Sequence, residues 1–243
     1  MTFPVSYIVK YEDIGLKDYK EVWDYQRSVF NVLAEKAKDS YRNKETETGQ
    51  LPGTLIFVEH PHVFTLGKHG SEKNLLLDYI QLQARDASFY HIDRGGDITY
   101  HGPGQIVGYP IFDLSVIGIS LKEYIFRLEE AIIRTMNLFG LRGERLGGAT
   151  GVWIDTGMPG KTRKICAIGV KASRYITMHG FAFNVNTRLE YFNYINPCGF
   201  TDKGVTSLAK ELGGPQEMDK VKSLLREKIK EVFDLKFIND VRD

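Results

Sequence analysis

The chain has 243 residues, a net charge of +1, 42% hydrophobic and 26% charged residues, and two cysteines. That length supports one large domain or two small ones with a real core, and the composition is that of an ordinary globular protein. Near-neutrality argues against nucleic acid or a membrane surface as partner, two cysteines make no disulfide framework, and neither a signal peptide nor an apolar span of about 18 residues is present, so a cytoplasmic protein is expected.

Residues 5–11 read as a short strand. From Leu16 to Ala37 the apolar residues Leu16, Tyr19, Val22, Trp23, Phe30, Leu33 and Ala37 fall at helical spacings. The polar stretch 38–53, ending in Pro-Gly, predicts a mobile loop. TLIFVEH (54–60) is a buried-strand run, and VFTLGKHG (63–70) leaves it and reaches a glycine. IVGYPIFDL (106–114) is a further strand. Leu121, Tyr124, Ile125, Leu128, Ile132 and Met136 line one face of a helix over 121–139, and Gly140 suits its end. GVWID (151–155) and RKICAIGVKA (163–172), joined by a glycine- and proline-bearing turn, predict a β-hairpin. HGFAFNVN (179–186) alternates again, and Val221 to Phe233 marks an amphipathic helix. The pattern is α+β, a mixed or mostly antiparallel sheet with three packed helices. A single domain over 1–243 is expected, with room for a small C-terminal subdomain after about Pro197.

RGGDITYHGPGQ (94–105) concentrates glycine beside few reactive heads. It is no phosphate-binding P-loop, because no Gly-Lys-Ser/Thr follows. Gly102, Gly104 and Gly108 miss the dinucleotide spacing by one residue and lead into a strand rather than a helix. Two readings stand: a turn between strands, or a backbone wall for a ligand flanked by Arg94 and His101, since glycine lets the main chain approach closely. His60 and His62 at a strand end, with His69 nearby, have the residue type for zinc but no third ligand at useful spacing, so no metal is expected. Cys198 in INPCGF sits in a tight, exposed turn. Cys166 sits in an apolar strand, two residues from Lys164 and so on the same strand face, where an ammonium lowers a thiol pKa. Residue chemistry leaves both thiols open as nucleophiles. Lys161 and Arg163 read as solvated turn charges, and Lys164 as part-buried.

RGGDITYHGPGQ, RKICAIG, HGFAFNVN and NPCG, in this order and preceded by EHPHVFTLG (59–67), resemble the lipoyl(octanoyl) transferases over roughly residues 7–235. The resemblance implies a fold akin to the catalytic domains of biotin and lipoate ligases. It implies transfer of octanoyl from octanoyl-acyl carrier protein to a lysine of lipoyl domains, as in 2-oxoacid dehydrogenase complexes, or of the glycine-cleavage H protein, with no cofactor. Position by position it makes Cys198 the nucleophile and Lys164 the lysine that tunes it. Arg94, Gly95, Gly96, Asp97, Ile98, Thr99, Tyr100 and His101 become the block lining the acyl pocket, with Ala167, Ile168 and Gly169, and Gly180, Phe181 and Ala182, as two further wall segments. Asp97 occupies a position expected to vary, and the 38–53 stretch is longer than the family's usual loop. The implied chemistry is a thioester acyl-enzyme, with His101 or Thr99 as unassigned assistants. An acidic carrier calls for a basic rim, for which Arg142, Arg145, Lys161, Arg163, Lys171 and Arg174 are candidates. The rival readings are an ATP-dependent lipoate or biotin ligase, an amidotransferase moving octanoyl or lipoyl between lysines, and a non-catalytic lipoyl-domain binder. NPCG and the glycine block favour the transferase.

Overall fold

The runs GTLIFVE and QIVGYPI carry no polar face, and nearly every residue in each is buried. Strands of this kind belong at the centre of a sheet covered on both sides, and the fold puts them there. The computed structural model describes residues 7–43, 53–196 and 203–238. Its elements in chain order are β1 (Tyr7–Leu16), α1 (Tyr19–Asn43), β2 (Gly53–Glu59), β3 (Val63–Leu66), α2 (Tyr79–Gln83), β4 (Ser88–His91), β5 (Ile98–His101), β6 (Gln105–Ile111), α3 (Leu114–Ile117), α4 (Leu121–Asn137), β7 (Glu144–Leu146), β8 (Ala149–Ile154), β9 (Arg163–Ser173), β10 (Ile176–Asn184), β11 (Gly204–Val205), α5 (Leu208–Leu212), α6 (Met218–Phe233) and β12 (Leu235–Phe237).

Nine strands form a mixed sheet in the order β12-β1-β2-β6-β10-β9-β8-β7, with β11 added beside β9. β1 runs parallel to both β2 and β12, while β2, β6, β10, β9, β8 and β7 alternate in direction. A second sheet of order β4-β3-β5 makes a separate layer. On one face of the large sheet Phe57, Ile106, Phe181 and Phe183 pack against Leu128 and Ile132 of α4 and Leu225 and Ile229 of α6. On the other face Ile56, Val107, Tyr109 and Ala182 meet Val22 and Leu33 of α1. The helix expected at 121–139 begins at Ser120, whose hydroxyl accepts from Glu123 N–H, and gives way at Gly140, whose φ is +73°.

The expected α+β class holds, and three differences from the sequence reading have physical causes. Helix α1 continues to Asn43, because KAKDSYRN has no glycine or proline to stop it; only 44–52 of the expected loop lies outside the described residues. The first strand extends to Leu16, carried past its apolar half by pairing with β2 across an irregularity between Asp13 and Leu16. The expected helices are α1, α4 and α6, joined by three short ones of four or five residues whose apolar residues are too few to show a period.

Candidate functional site

A cavity of about 500 Å³ lies between the large sheet and the layer formed by β5 and the glycine segment. That is within the range of small-molecule pockets. Its floor comes from three adjacent antiparallel strands: Gln105, Val107 and Tyr109 of β6, Gly180–Ala182 and Asn184 of β10, and Ala167–Val170 of β9. Arg94–Thr99 and His101 form the roof. Gly180 lets β10 press against β6, since a Cβ there would stand 2.1 Å from Gly108 O. Gly169 lets the roof come down: a Cβ would meet Arg94 Cδ and Gly95 O, both at 3.0 Å.

The glycine segment thus approaches protein as well as cavity. Gly95 N–H donates to Val170 O at 2.9 Å, and Lys68 and His69 N–H donate to Arg94 O and Gly96 O at 3.0 and 3.2 Å. Residues Ile98–His101 within it are a strand, not a turn. The Arg94 guanidinium is buried and donates to Thr65 O at 2.7 Å, Thr65 Oγ1 at 3.0 Å and Gly95 O at 3.0 Å, so it acts as a stay between roof and small sheet. Asp97 caps its own strand, accepting from Ile98 N–H at 2.7 Å, and holds Asn74 Nδ2 at 2.6 Å.

The cavity closes at a polar inner end. His60 Nδ1 donates to Lys17 O at 2.8 Å and Nε2 accepts from Tyr109 OH at 2.9 Å, which spends both nitrogens. His101 Nδ1 donates to Gln105 Oε1 at 2.9 Å; Gln105 Nε2 in turn donates to Asn184 Oδ1 at 2.9 Å and Tyr100 O at 3.2 Å. Donation to that amide oxygen makes Nδ1 the protonated nitrogen of His101. His179, at φ +62°, gives Nε2–H to Asp93, which also holds Lys171 Nζ at 2.6 Å. Burial pushes His60 down to about 4 and His101 to about 3, and lowers His179 as well, with the Arg94 guanidinium adding to the effect on the last two.

At the open end stand Gly148–Thr150, Trp153, Lys164 and Lys203–Val205. β11 pairs in parallel with Arg163 and Lys164, and Thr206 N–H donates to Lys164 O at 2.9 Å. Asn184 Nδ2 holds Thr206 O at 3.0 Å. At the start of the NPCG segment, Asn196 N–H donates to Asn74 O at 2.8 Å, and Ile195 just before it bridges Leu75. Cys198 itself lies outside the described residues.

Of the residues singled out in the sequence, Arg94–Thr99, His101, Lys164, Ala167–Gly169 and Gly180–Ala182 line this one cavity. Tyr100 does not. It alternates to the other face of β5, fully buried, stacked on Tyr191 at 4.9 Å and hydrogen-bonded to His62 Nδ1 at 2.7 Å. Cys166 does not either: it sits in the core with Phe183 and Val152, and burial pushes its thiol well above the ordinary range despite the nearby Lys164. Lys164 faces the cavity and Cys166 the core, contrary to the shared face expected, because β9 and β8 shift register between Val152 and Trp153. Among the described residues no three His, Cys, Asp or Glu side chains are grouped to hold a metal, and His60 and His62 are spent on Tyr109, Lys17 and Tyr100. Tyr19, Gln105, Trp153, His179 and Asn184 also line the cavity and were not singled out. The signal for Gln105 and Asn184 was at hand, since each sits in a quoted motif at a strand end.

Residues 18–230 match the family model described as the lipoyl protein ligase A/B catalytic domain. The octanoyltransferase of Parabacteroides distasonis is 55% identical over 224 residues, covering 92% of this chain and 98% of that protein. The octanoyltransferase of Cytophaga hutchinsonii is 51% identical over 229 residues, covering 94% and 93%. This chain belongs to the octanoyltransferase family. The bipartite lipoate protein ligase of Thermoplasma acidophilum has the same fold, with a TM-score of 0.65 over 96% of this chain and 85% of that one at 13% identity. Like that ligase, this octanoyltransferase family member is built on the lipoate ligase-like catalytic fold.

The basic rim expected of such an enzyme is largely compensated. Arg142 pairs with Glu144 at 3.2 Å, Arg145 with Glu129 and Glu130 at 3.0 and 2.8 Å, and Arg163 with Asp155 and Glu211 at 2.6 and 2.7 Å. Lys171 is bound to Asp93 at 2.6 Å, and neither residue lines the cavity. Lys161 and Arg174 are exposed. Among the described residues no helix is long and apolar enough to cross a membrane.

The buried imidazoles predict acid sensitivity. Their folded-state pKa values lie below the ordinary value of about 6.5, so their contribution to stability is complete above pH 6.5. It is lost as pH falls from 6.5 toward 4, where the unfolded chain binds protons that the folded one refuses. The urea midpoint should drop over that window, and His60→Gln should flatten the drop. An unchanged slope in the variant would remove His60 from the account.

Proposed function

We propose that this chain transfers octanoyl from octanoyl-acyl carrier protein to a specific lysine of a lipoyl domain, or of the glycine-cleavage H protein, through an acyl-thioester on Cys198. Residues 1–243 act here as one catalytic domain, working in the cytoplasm without a cofactor. The observation carrying this reading is the placement of Lys164 at the open end of a mostly apolar channel, beside the strand into which the NPCG segment leads. From Lys164 to Gly169 along β9 is roughly 16 Å at about 3.3 Å per residue. An extended eight-carbon chain takes roughly 9 Å, advancing about 1.25 Å per bond of about 1.5 Å. The cavity is therefore long enough for the chain and its thioester, and in this reading the methyl end lies toward Gly169 and Gly180.

In the first step the Cys198 thiolate attacks the thioester carbonyl. The carbon–sulfur bond to the carrier breaks, and the carrier thiolate leaves to take up a proton. In the second step the acceptor lysine amine attacks the acyl-Cys198 carbonyl, an amide forms, and the cysteine leaves as thiolate while the amine gives up its proton. An unactivated thiol is only a few per cent ionised at neutral pH, so the first step needs help, and in this reading Lys164 gives it. Backbone N–H groups of the glycine walls are candidates for the developing oxyanion, where one donor is worth about 3–4 kcal/mol in other enzymes.

The test is transfer without ATP. A lipoyl domain incubated with octanoyl-acyl carrier protein and this enzyme should gain the mass of an octanoyl group. Gain only when ATP and free octanoate or lipoate are supplied would mean a ligase. Because most of the candidate rim is internally paired, the salt dependence of kcat/KM for the carrier should be shallow. A steep fall with ionic strength would show that unpaired cations such as Lys161 do steer docking.

A further inference from the structure

Trp153 stands directly across from Lys164 in the β8–β9 pairing, and Lys164 Nζ lies 4.5 Å from the centre of its ring. The indole is nearly fully buried, and its Nε1–H donates to Ala149 O at 3.0 Å, which fixes the plane of the ring. Both side chains line the open end of the cavity. An ammonium over the face of an indole is attracted by the ring's negative quadrupole, and a neutral amine is not. A Cβ on Gly151 would stand 2.5 Å from Cys166 O and 3.6 Å from Lys164 Cδ, so its absence lets β8 close on β9 beside the lysine stem.

We infer that Trp153 is a positioning residue that holds Lys164 as an ammonium, so that Lys164 serves the reaction as a cation rather than as a base. The inference rests on the proposed acyl-transfer reading and decides between the two roles that reading leaves for the lysine. Among the described residues, the charged groups beside this lysine are of like sign or engaged elsewhere. Lys203 lines the same end of the cavity from the segment before β11. Arg163 on the same strand is bound to Asp155 and Glu211. Glu129 of α4 is engaged by Arg145 and by Gly151 N–H at 3.0 Å. Cys166 is buried in the core and protonated. A cation at this point stabilises a thiolate nucleophile and the oxyanion that follows it, with no proton transfer in the attacking step.

The experiment uses the full chain and two readouts. Lysines are reductively methylated with ¹³C formaldehyde, and the Lys164 resonance, assigned by its loss in Lys164→Arg, is titrated by NMR in the wild type, Trp153→Phe and Trp153→Leu. The pH profile of acyl transfer is measured in the unmethylated proteins. The expected result is a Lys164 midpoint that falls in the order Trp, Phe, Leu, by about half to one and a half pH units overall. The alkaline limb of the rate should move down with it. Trp153→Phe keeps an aromatic core side chain and carries the test should Trp153→Leu not fold. A midpoint equal in Trp153→Phe and wild type, or a rate that rises with pH through the Lys164 midpoint, would overturn the inference. Loss of all octanoyl transfer in the wild type would instead sink the functional reading, while the titration would still report whether the indole holds the ammonium.

Discussion

Replacing Lys164 with methionine is expected to slow acylation of Cys198 by roughly 30-fold or more. A thiol of ordinary pKa, about 8.5, is about 3% thiolate at pH 7, so removing the only cation invoked to ionise it forfeits about that factor, apart from any loss at the oxyanion. Methionine fills a similar volume beside Trp153 and Gly151, which keeps the comparison chemical rather than steric. The measurement is a single-turnover rate of acyl-enzyme formation from octanoyl-acyl carrier protein, quenched and read by mass. The deficit should shrink as pH rises toward 9, where the thiol ionises without help. A full rate at pH 7 would take Lys164 out of the mechanism.

The second large effect is structural. Gly180→Ala should cost about 3 kcal/mol and lower the Tm by roughly 6–12 °C, because the added methyl has no rotamer with which to escape. It would stand 2.1 Å from Gly108 O and 2.7 Å from Pro110 Cδ, in the backbone of the neighbouring central strand. β6 and β10 would have to part, and the cavity floor is made of those two strands. Gly147→Ala is the matched control, since nothing lies within 4 Å of its added Cβ. Thermal unfolding of the two variants checks the point, and equal midpoints would contradict the close approach of β6 and β10.

Much of this arrangement was legible in the sequence where hydrophobic period and burial coincide. TLIFVEH and IVGYPIFDL announced the central strands, and the faces of α1, α4 and α6 announced the helices. Short elements escaped, because β11 has two residues and β12 three, too few to carry a period, and both exist through pairing with β9 and β1. The site motifs were legible as a set, and of the described residues that the family resemblance assigned to the site, all but Tyr100 line one cavity. Tyr100 misled because a motif is contiguous while a strand alternates: its neighbours Thr99 and His101 reach the cavity and it does not. The Lys164–Cys166 pair misled for a related reason, a local register shift that spacing cannot show. The polar inner end was not foreseen, since His60, Tyr109, His101 and His179 come from four segments and meet only in the fold.

The most direct test of the central claim is intact-mass spectrometry of the enzyme mixed with octanoyl-acyl carrier protein in the absence of ATP, followed by peptide mapping and then addition of a lipoyl domain. The account predicts one octanoyl adduct on the peptide bearing Cys198, absent in Cys198→Ala, and cleared as the lipoyl domain gains the same mass. An adduct on Cys166, or none until ATP and free acid are supplied, would contradict it.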